Sequence, residues 1–249
     1  MNADLTTKLL QAEADLQQLK DALAKRDVYI KNTFGRYMTD EVLEEIMSKD
    51  GAAISGERRR VSMLFADIRD STALSDSMDA GDFIQMLNHF LETMIEIINS
   101  WQGNILDFIG DAIVVVFGAP RENEESARDA VACAVAMQRR MHAINRWNHE
   151  QGYPEISMGI GIHTGEAILG NIGSSIRTKY DMIGRNVNLT SRIEGFTKGG
   201  QILISAETLK EAGEMVIIDE ANTMTVRPKG IRSDIQVYDV IGFGTQKLP

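Results

Sequence analysis

Residues 61–72 read V-S-M-L-F-A-D-I-R-D-S-T, and residues 103–118 read G-N-I-L-D-F-I-G-D-A-I-V-V-V-F-G. Each sets an aspartate, Asp67 or Asp111, at the edge of a run rich in β-branched and aromatic side chains, which is strand chemistry. A strand-end acid offers hard oxygens from a rigid position, as a Mg²⁺ site completed by phosphate ligands needs. Most single acids in such places are turn formers or helix caps. The pair therefore acquires meaning only from the rest of the chain.

Working outward, Val61 to Ile68 reads as a strand, and Asn104–Ile109 with Ala112–Phe117 reads as a hairpin across Gly110-Asp111. Between them, Phe83, Ile84, Leu87, Phe90, Leu91, Met94, Ile95 and Ile98 make the apolar stripe of a long helix over Ala80–Ser100. A second long helix, rich in Ala and Met, spans Glu124–Glu150. Ile156–His163 and Glu166–Asn171 read as a strand pair turning at Thr164-Gly165. Then follow a helix over Gly184–Thr197, a strand over Gln201–Ser205, a short helix over Ala206–Ala212 and strand-like sequence ending in Ile235–Ile241. Long helices between hairpins predict an α+β fold, a mixed and mainly antiparallel sheet covered by helices.

Toward the N-terminus, Leu5, Leu9, Ala12, Leu16, Leu19, Leu23 and Ile30 recur in alternating steps of four and three, with Arg26 in the one polar slot. This heptad seam predicts a parallel two-stranded coiled coil over 1–33, in which Arg26 weakens the seam locally and helps set register. One amphipathic helix packed on its own domain is the plainer alternative. After Gly35 a second helical segment, Met38–Met47, carries Val42, Leu43 and Ile46 on one face, with Thr39 as its cap. Ser48–Arg60 reads as a linker, its R-R-R tract a solvated entry to the strand. The expected organisation is 1–33 coil, 34–58 helix and linker, and 59–249 globular domain.

The bulk properties narrow the function. A net charge of −10 excludes an extended nucleic-acid surface, although a local basic pocket for a phosphate compound remains open. Cys133 is the only cysteine, so no internal disulfide forms, which fits a reducing cytoplasm. The longest apolar run, Ala112–Phe117, is too short to span a membrane, and the N-terminus has no apolar signal core.

Three clusters suit one phosphate chemistry. Asp67 and Asp111 offer two carboxylates for paired metal ions. Asn188 and Arg192, four apart on a helix, share a face and set an amide beside a guanidinium, a match for a ribose oxygen and a phosphate gaining charge. Taken singly, Arg192 is better explained by a surface ion pair with Glu194 or a neighbouring helix, and Asn188 by solvation. Lys229 and Arg232, in R-P-K-G-I-R, suit the outer phosphates.

Together, F-A-D-I-R-D-S-T, D-F-I-G-D-A-I-V-V-V-F-G and K-Y-D-M-I-G-R-N-V-N-L-T-S-R, in this order and spacing, resemble the catalytic domain of the class III nucleotidyl cyclases. The resemblance covers Arg59 to Ile241. It implies the ferredoxin-like cyclase fold and a homodimer with its active sites in the interface. Asp67 and Asp111 resemble the metal-binding aspartates for two Mg²⁺ or Mn²⁺ ions, with the Ile68 carbonyl assisting one. Asn188 and Arg192, from the other subunit, match the pair that orients the ribose and stabilises the transition state. Arg232, or alternatively Lys229, falls at the phosphate-binding position. Phe34–Met47 resembles the transducing segment of such proteins, and the coil resembles the helix joining an upstream sensor to its cyclase.

Asp107 and Asp181 match the two base-selecting positions, and they disagree. Asp181 is the partner used by adenylyl cyclases, able to accept from the N6 amine of adenine. At the other position adenylyl cyclases carry lysine and guanylyl cyclases glutamate, so Asp107 favours the N–H donors of guanine. Adenylyl activity is common among soluble members, so the resemblance implies ATP conversion to cyclic AMP, with GTP as the alternative and a silent dimerising domain as the third reading.

Overall fold

The structure, a computed structural model, describes residues 2–35, 42–44, 55–174, 176–227 and 234–248. The chain divides into two compact units, Met1–Gly51 and Ala52–Pro249.

In the first unit, helix α1 (Asn2–Phe34) is continuous. Side-chain bonds from Gln11 to Asp15 and from Gln17 to Asp21, both 2.9 Å, brace successive turns of its polar surface. Leu9, Leu16, Leu19 and Leu23 of the heptad seam are 41–59% exposed. A helix of this length with an open leucine stripe has the surface that a coiled-coil partner covers. Residues 42–44 are helical, and the remainder of the expected Met38–Met47 segment lies outside the described residues.

The second unit is built on one sheet. Its strands are β1 (Ser55–Ile68), β2 (Asn104–Ile109), β3 (Ala112–Phe117), β4 (Met158–Gly173), β5 (Thr178–Ile183), β6 (Ile202–Ser205), β7 (Val216–Val226), β8 (Ile235–Phe243) and β9 (Gln246–Lys247). The main path runs β2-β3-β1-β4-β6-β8-β7, with β5 paired to β4 and β9 to β8. Every pairing is antiparallel except β4 with β6. The mixed, mainly antiparallel sheet expected from the sequence is therefore the one observed.

The helices are α2 (Ser71–Ser77), α3 (Ala80–Ser100), α4 (Ser126–Gln151), α5 (Arg185–Glu194) and α6 (Ala206–Ala212). Asp79 starts α3 by accepting a hydrogen bond from the Gly81 N–H at 2.8 Å. Met86, Phe90, Met94, Ile97 and Ile98 of α3 and the Ala-, Val- and Met-rich face of α4 bury against Leu64, Ile113, Val115, Ile160 and Ile162 of the sheet. A separate cluster joins Leu189 and Ile193 of α5 to Leu203, Val226 and Val237. No helix among the described residues is long and apolar enough to cross a membrane.

Two expectations are corrected. Thr164-Gly165 is not a turn: β4 runs unbroken from Met158 to Gly173, and both residues pair with β1. The Thr164 hydroxyl is buried, 2.9 Å from Ser62 Oγ and 3.1 Å from Thr208 Oγ1. A Cβ on Gly165 would come within 2.6 Å of the Asn186 side chain, so the glycine makes room for α5 and does not bend the chain. Secondly, β1 begins at Ser55, before the expected Val61, because this long β4 gives Ser55–Arg60 a partner in Glu166–Asn171. The expected linker thus loses its last part to the sheet.

Candidate active site

Asp67 is the penultimate residue of β1, and Asp111 sits in the tight β2–β3 turn, where Gly110 adopts φ +67°. Because β1 and β3 pair antiparallel, with Ala66 opposite Ile113, the end of β1 lies beside the start of β3. The Ile68 N–H donates to Asp111 Oδ2 at 3.2 Å, and Ser71 Oγ donates to Oδ1 at 2.9 Å. Ser71 opens α2, an element without a periodic sequence signal, and its role as an anchor for Asp111 emerges only in the folded domain.

Burial pushes the Asp67 carboxyl up to about 7, and the hydrogen bond with Asp111 and its negative charge add to the effect. Glu194 pushes the same way, while Arg69 opposes. Two acids held in contact, with ionisation of one resisted by the other, form a site that a divalent cation relieves. No cluster of three or more His, Cys, Asp or Glu side chains suited to a metal occurs among the described residues. A two-carboxylate cradle leaves coordination positions open for water and phosphate oxygens, as Mg²⁺ bound with a nucleotide requires. The residues fit such ions.

Arg69, which the sequence did not single out, organises this corner. Its Nη2 lies 3.3 Å from the Asp67 carbonyl oxygen and 3.4 Å from Asp67 Oδ2, and the same group is ion-paired with Glu194. Burial raises the Glu194 carboxyl above its usual range, and the Arg69 charge and hydrogen bond counter that. The end of α5 lies flat on β4 here. A Cβ on Gly161 would sit 2.3 Å from the Glu194 backbone nitrogen, so only glycine permits the approach.

Helix α5 presents the Asn-Arg pair. Asn186 is tied inward, donating to the Glu166 carbonyl at 2.9 Å, and Thr190 Oγ1 donates to the Asn186 carbonyl at 2.8 Å. Asn188 is exposed and Arg192 half-buried. The ion pair that would have explained Arg192 structurally is not formed, since Glu194 pairs with Arg69.

Asp107 on β2 and Asp181 on β5 are brought together in one protomer by Lys179. Lys179 Nζ lies 2.7 Å from Asp107 Oδ2 and 3.4 Å from Asp181 Oδ2. The Oδ1 atom of each acid accepts a backbone N–H, from Phe108 at 2.9 Å and from Met182 at 2.8 Å. Strand β5 was not expected from the sequence, so the shared face of Lys179 and Asp181 was not visible there. Lys229 and Arg232 lie outside the described residues.

Residues 55–242 match the family described as the adenylate and guanylate cyclase catalytic domain, and the chain belongs to that family. It is 30% identical to adenylate cyclase 1 of Rhizobium meliloti (strain 1021) over 233 residues, covering 92% of this chain but only 34% of that relative's length. Among solved structures, the guanylyl cyclase Cya2 is 40% identical with TM-score 0.76, over 79% of this chain and 100% of that one. The adenylyl cyclase CyaB from P. aeruginosa is 31% identical with TM-score 0.73, over 78% and 99%.

Proposed function

We propose that the chain is a homodimeric adenylyl cyclase that converts ATP to 3′,5′-cyclic AMP and pyrophosphate, with each active site at the interface of two catalytic domains. The carrying observation is the β1–β3 pairing, which sets Asp67 at the end of β1 beside Asp111, whose Oδ2 accepts the Ile68 N–H at 3.2 Å, so that two hard-ligand carboxylates share one corner. With the Ile68 carbonyl they would hold two Mg²⁺ or Mn²⁺ ions, which when bound activate the attacking oxygen and neutralise the leaving pyrophosphate. The 3′-oxygen forms a bond to the α-phosphorus, the bond to pyrophosphate breaks, and the hydroxyl proton leaves to solvent.

Asn188 accepts the task of orienting the ribose, and Arg192 that of stabilising charge gathered on the α-phosphate. Asn188 is exposed on α5 and Arg192, one turn on, is half-buried, which supports a role toward a second protomer. Arg232 or Lys229 would meet the outer phosphates. The open leucine stripe of α1 supports a parallel coiled coil that joins two protomers and passes on the state of an upstream sensor. Residence in the cytoplasm fits the single buried thiol.

Asp107 and the 40% identity to the guanylyl cyclase Cya2 favour a second reading, GTP to cyclic GMP. Purified protein supplied with Mg²⁺ or Mn²⁺ and each nucleotide in turn separates the two. Cyclic AMP is the expected product, and cyclic GMP alone selects the second reading. Nucleotide binding without turnover would instead indicate a silent dimerising domain.

A further inference from the structure

Neither acid at the base-selecting positions can donate a hydrogen bond when ionised, yet the structure contains a donor between them. Lys179 and Asp181 are two apart on β5 and so project from the same face of the strand. The Lys179 ammonium has three N–H groups and lies within ion-pair distance of both Asp107 and Asp181. With two acid partners, the ammonium keeps N–H capacity to offer a ligand. Each acid in turn is held by a backbone N–H on its other oxygen. The three side chains are 35–45% exposed, and ion pairs so exposed add little to stability. The fold therefore does not need the arrangement, whereas a ligand approaching that open surface meets an ordered acceptor–donor–acceptor row.

We propose that Lys179 reads the purine base, supplying the cationic donor that Asp107 does not, and that it makes this site select adenine over guanine. The proposal rests on the cyclase reading above. In adenine an exocyclic amine donates at position 6 and the adjacent N1 accepts. Asp181 takes the amine and the spare N–H of Lys179 meets N1, while Asp107 holds the ammonium in place. Guanine in the same orientation sets its O6 acceptor against Asp181 and its N1–H donor against the ammonium. Both contacts are then mismatched, which a site built on hydrogen bonds penalises strongly. Without Lys179 the row collapses to two acids, a pattern that suits guanine N–H donors better than adenine.

The test is the ratio of kcat/KM for ATP to that for GTP in the wild type and in Lys179→Met. The wild type is expected to prefer ATP, and the variant's ratio is expected to fall by at least about tenfold, the worth of one lost specific hydrogen bond. A wild-type preference for GTP, or a ratio unchanged in the folded variant, overturns the proposal. If Lys179→Met does not fold, Lys179→Leu, which also removes both the charge and the donor, carries the same measurement. If the wild type makes no cyclic product from either nucleotide, the cyclase reading fails separately. Displacement of a fluorescent nucleotide by non-reactive ATP and GTP analogues then decides Lys179: an affinity ratio insensitive to the substitution overturns its role, and a shift toward the GTP analogue upholds it.

Discussion

Arg69 and Glu194, 125 residues apart in sequence, form an ion pair that ties the turn after β1 to the C-terminal end of α5. The same guanidinium contacts the backbone and the carboxylate of Asp67. One side chain thereby connects the carboxylate corner to the helix that carries Asn188 and Arg192. In a dimer whose sites draw on both protomers, this pair lies between the parts of one chain that serve different sites.

The Glu194 side chain is 11% exposed, so removing its partner leaves a nearly buried carboxylate uncompensated. Arg69→Ala should cost about 3 kcal/mol, at the low end of the range for breaking such a pair. Denaturant unfolding checks this. Arg69→Ala with Glu194→Gln together should recover part of the loss, because the stranded charge is then gone.

Asp111→Asn removes one ligand charge; its one oxygen can still accept from the Ile68 N–H, while its amide NH2 can donate to the Ser71 hydroxyl, which then acts as acceptor. Turnover should fall by roughly a hundredfold or more, in line with losing a metal ligand. Relief of the repulsion with Asp67 should leave the melting temperature of the metal-free domain unchanged or higher. A large drop in melting temperature would make Asp111 a structural residue first.

Asn188→Ala and Arg192→Ala should each reduce kcat by about a hundredfold with little change in stability, since removing groups used in the transition state lowers kcat. Mixing the Arg192→Ala protein with Asp67→Ala protein should restore part of the activity, because one of the two sites in a heterodimer is then intact. No rescue at any mixing ratio would argue against sites shared between protomers.

His163 gives the domain a pH dependence of calculable sign. It is buried, with Nδ1 2.8 Å from Ser205 Oγ, and burial pushes its pKa down. Arg60 adds to that, while Asn186, Glu207 and Glu211 oppose. The unfolded chain, with a pKa of about 6.5, therefore takes up the proton first. Stability from this residue is complete above that pH and is lost as pH falls through the lower folded-state value. Asp67, whose raised pKa works in the opposite direction, is common to both proteins, so the check is the difference between wild-type and His163→Gln melts: below about pH 6.5 the wild type should lose stability relative to the variant.

Deleting residues 1–31 removes the leucine stripe of α1 and should weaken dimerisation and lower specific activity at low protein concentration. Unchanged sedimentation and activity would exclude the helix as the clamp between protomers.

Elements whose signal lies in a local period were legible in the sequence: α3 over Ala80–Ser100, the β2–β3 hairpin and α6 all fall where the side-chain pattern sets them. Thr164-Gly165 failed because a Thr-Gly pair looks locally like a turn. Its actual cause is remote, in the Asn186 side chain that fills the space above Gly165 and the Ser62 and Thr208 hydroxyls that hold Thr164. Helix α2 and strand β5 are short and carry no clear periodicity, so their residues had no assigned place.

The sequence by itself determined the α+β class, the family resemblance and the acids at positions 67 and 111, because residue type and short-range spacing carry all of these. Tertiary structure alone decided how far those acids perturb each other, since the β1–β3 register and the burial around Asp67 are products of packing. It also decided the partner of Glu194 and the cation between Asp107 and Asp181. Ion pairs are set by distance in space, and no pattern along the chain marks Arg69 or Lys179 as the residue that arrives there. The opposing preferences of Asp107 and Asp181 were readable from residue types; the ammonium that stands between them was not.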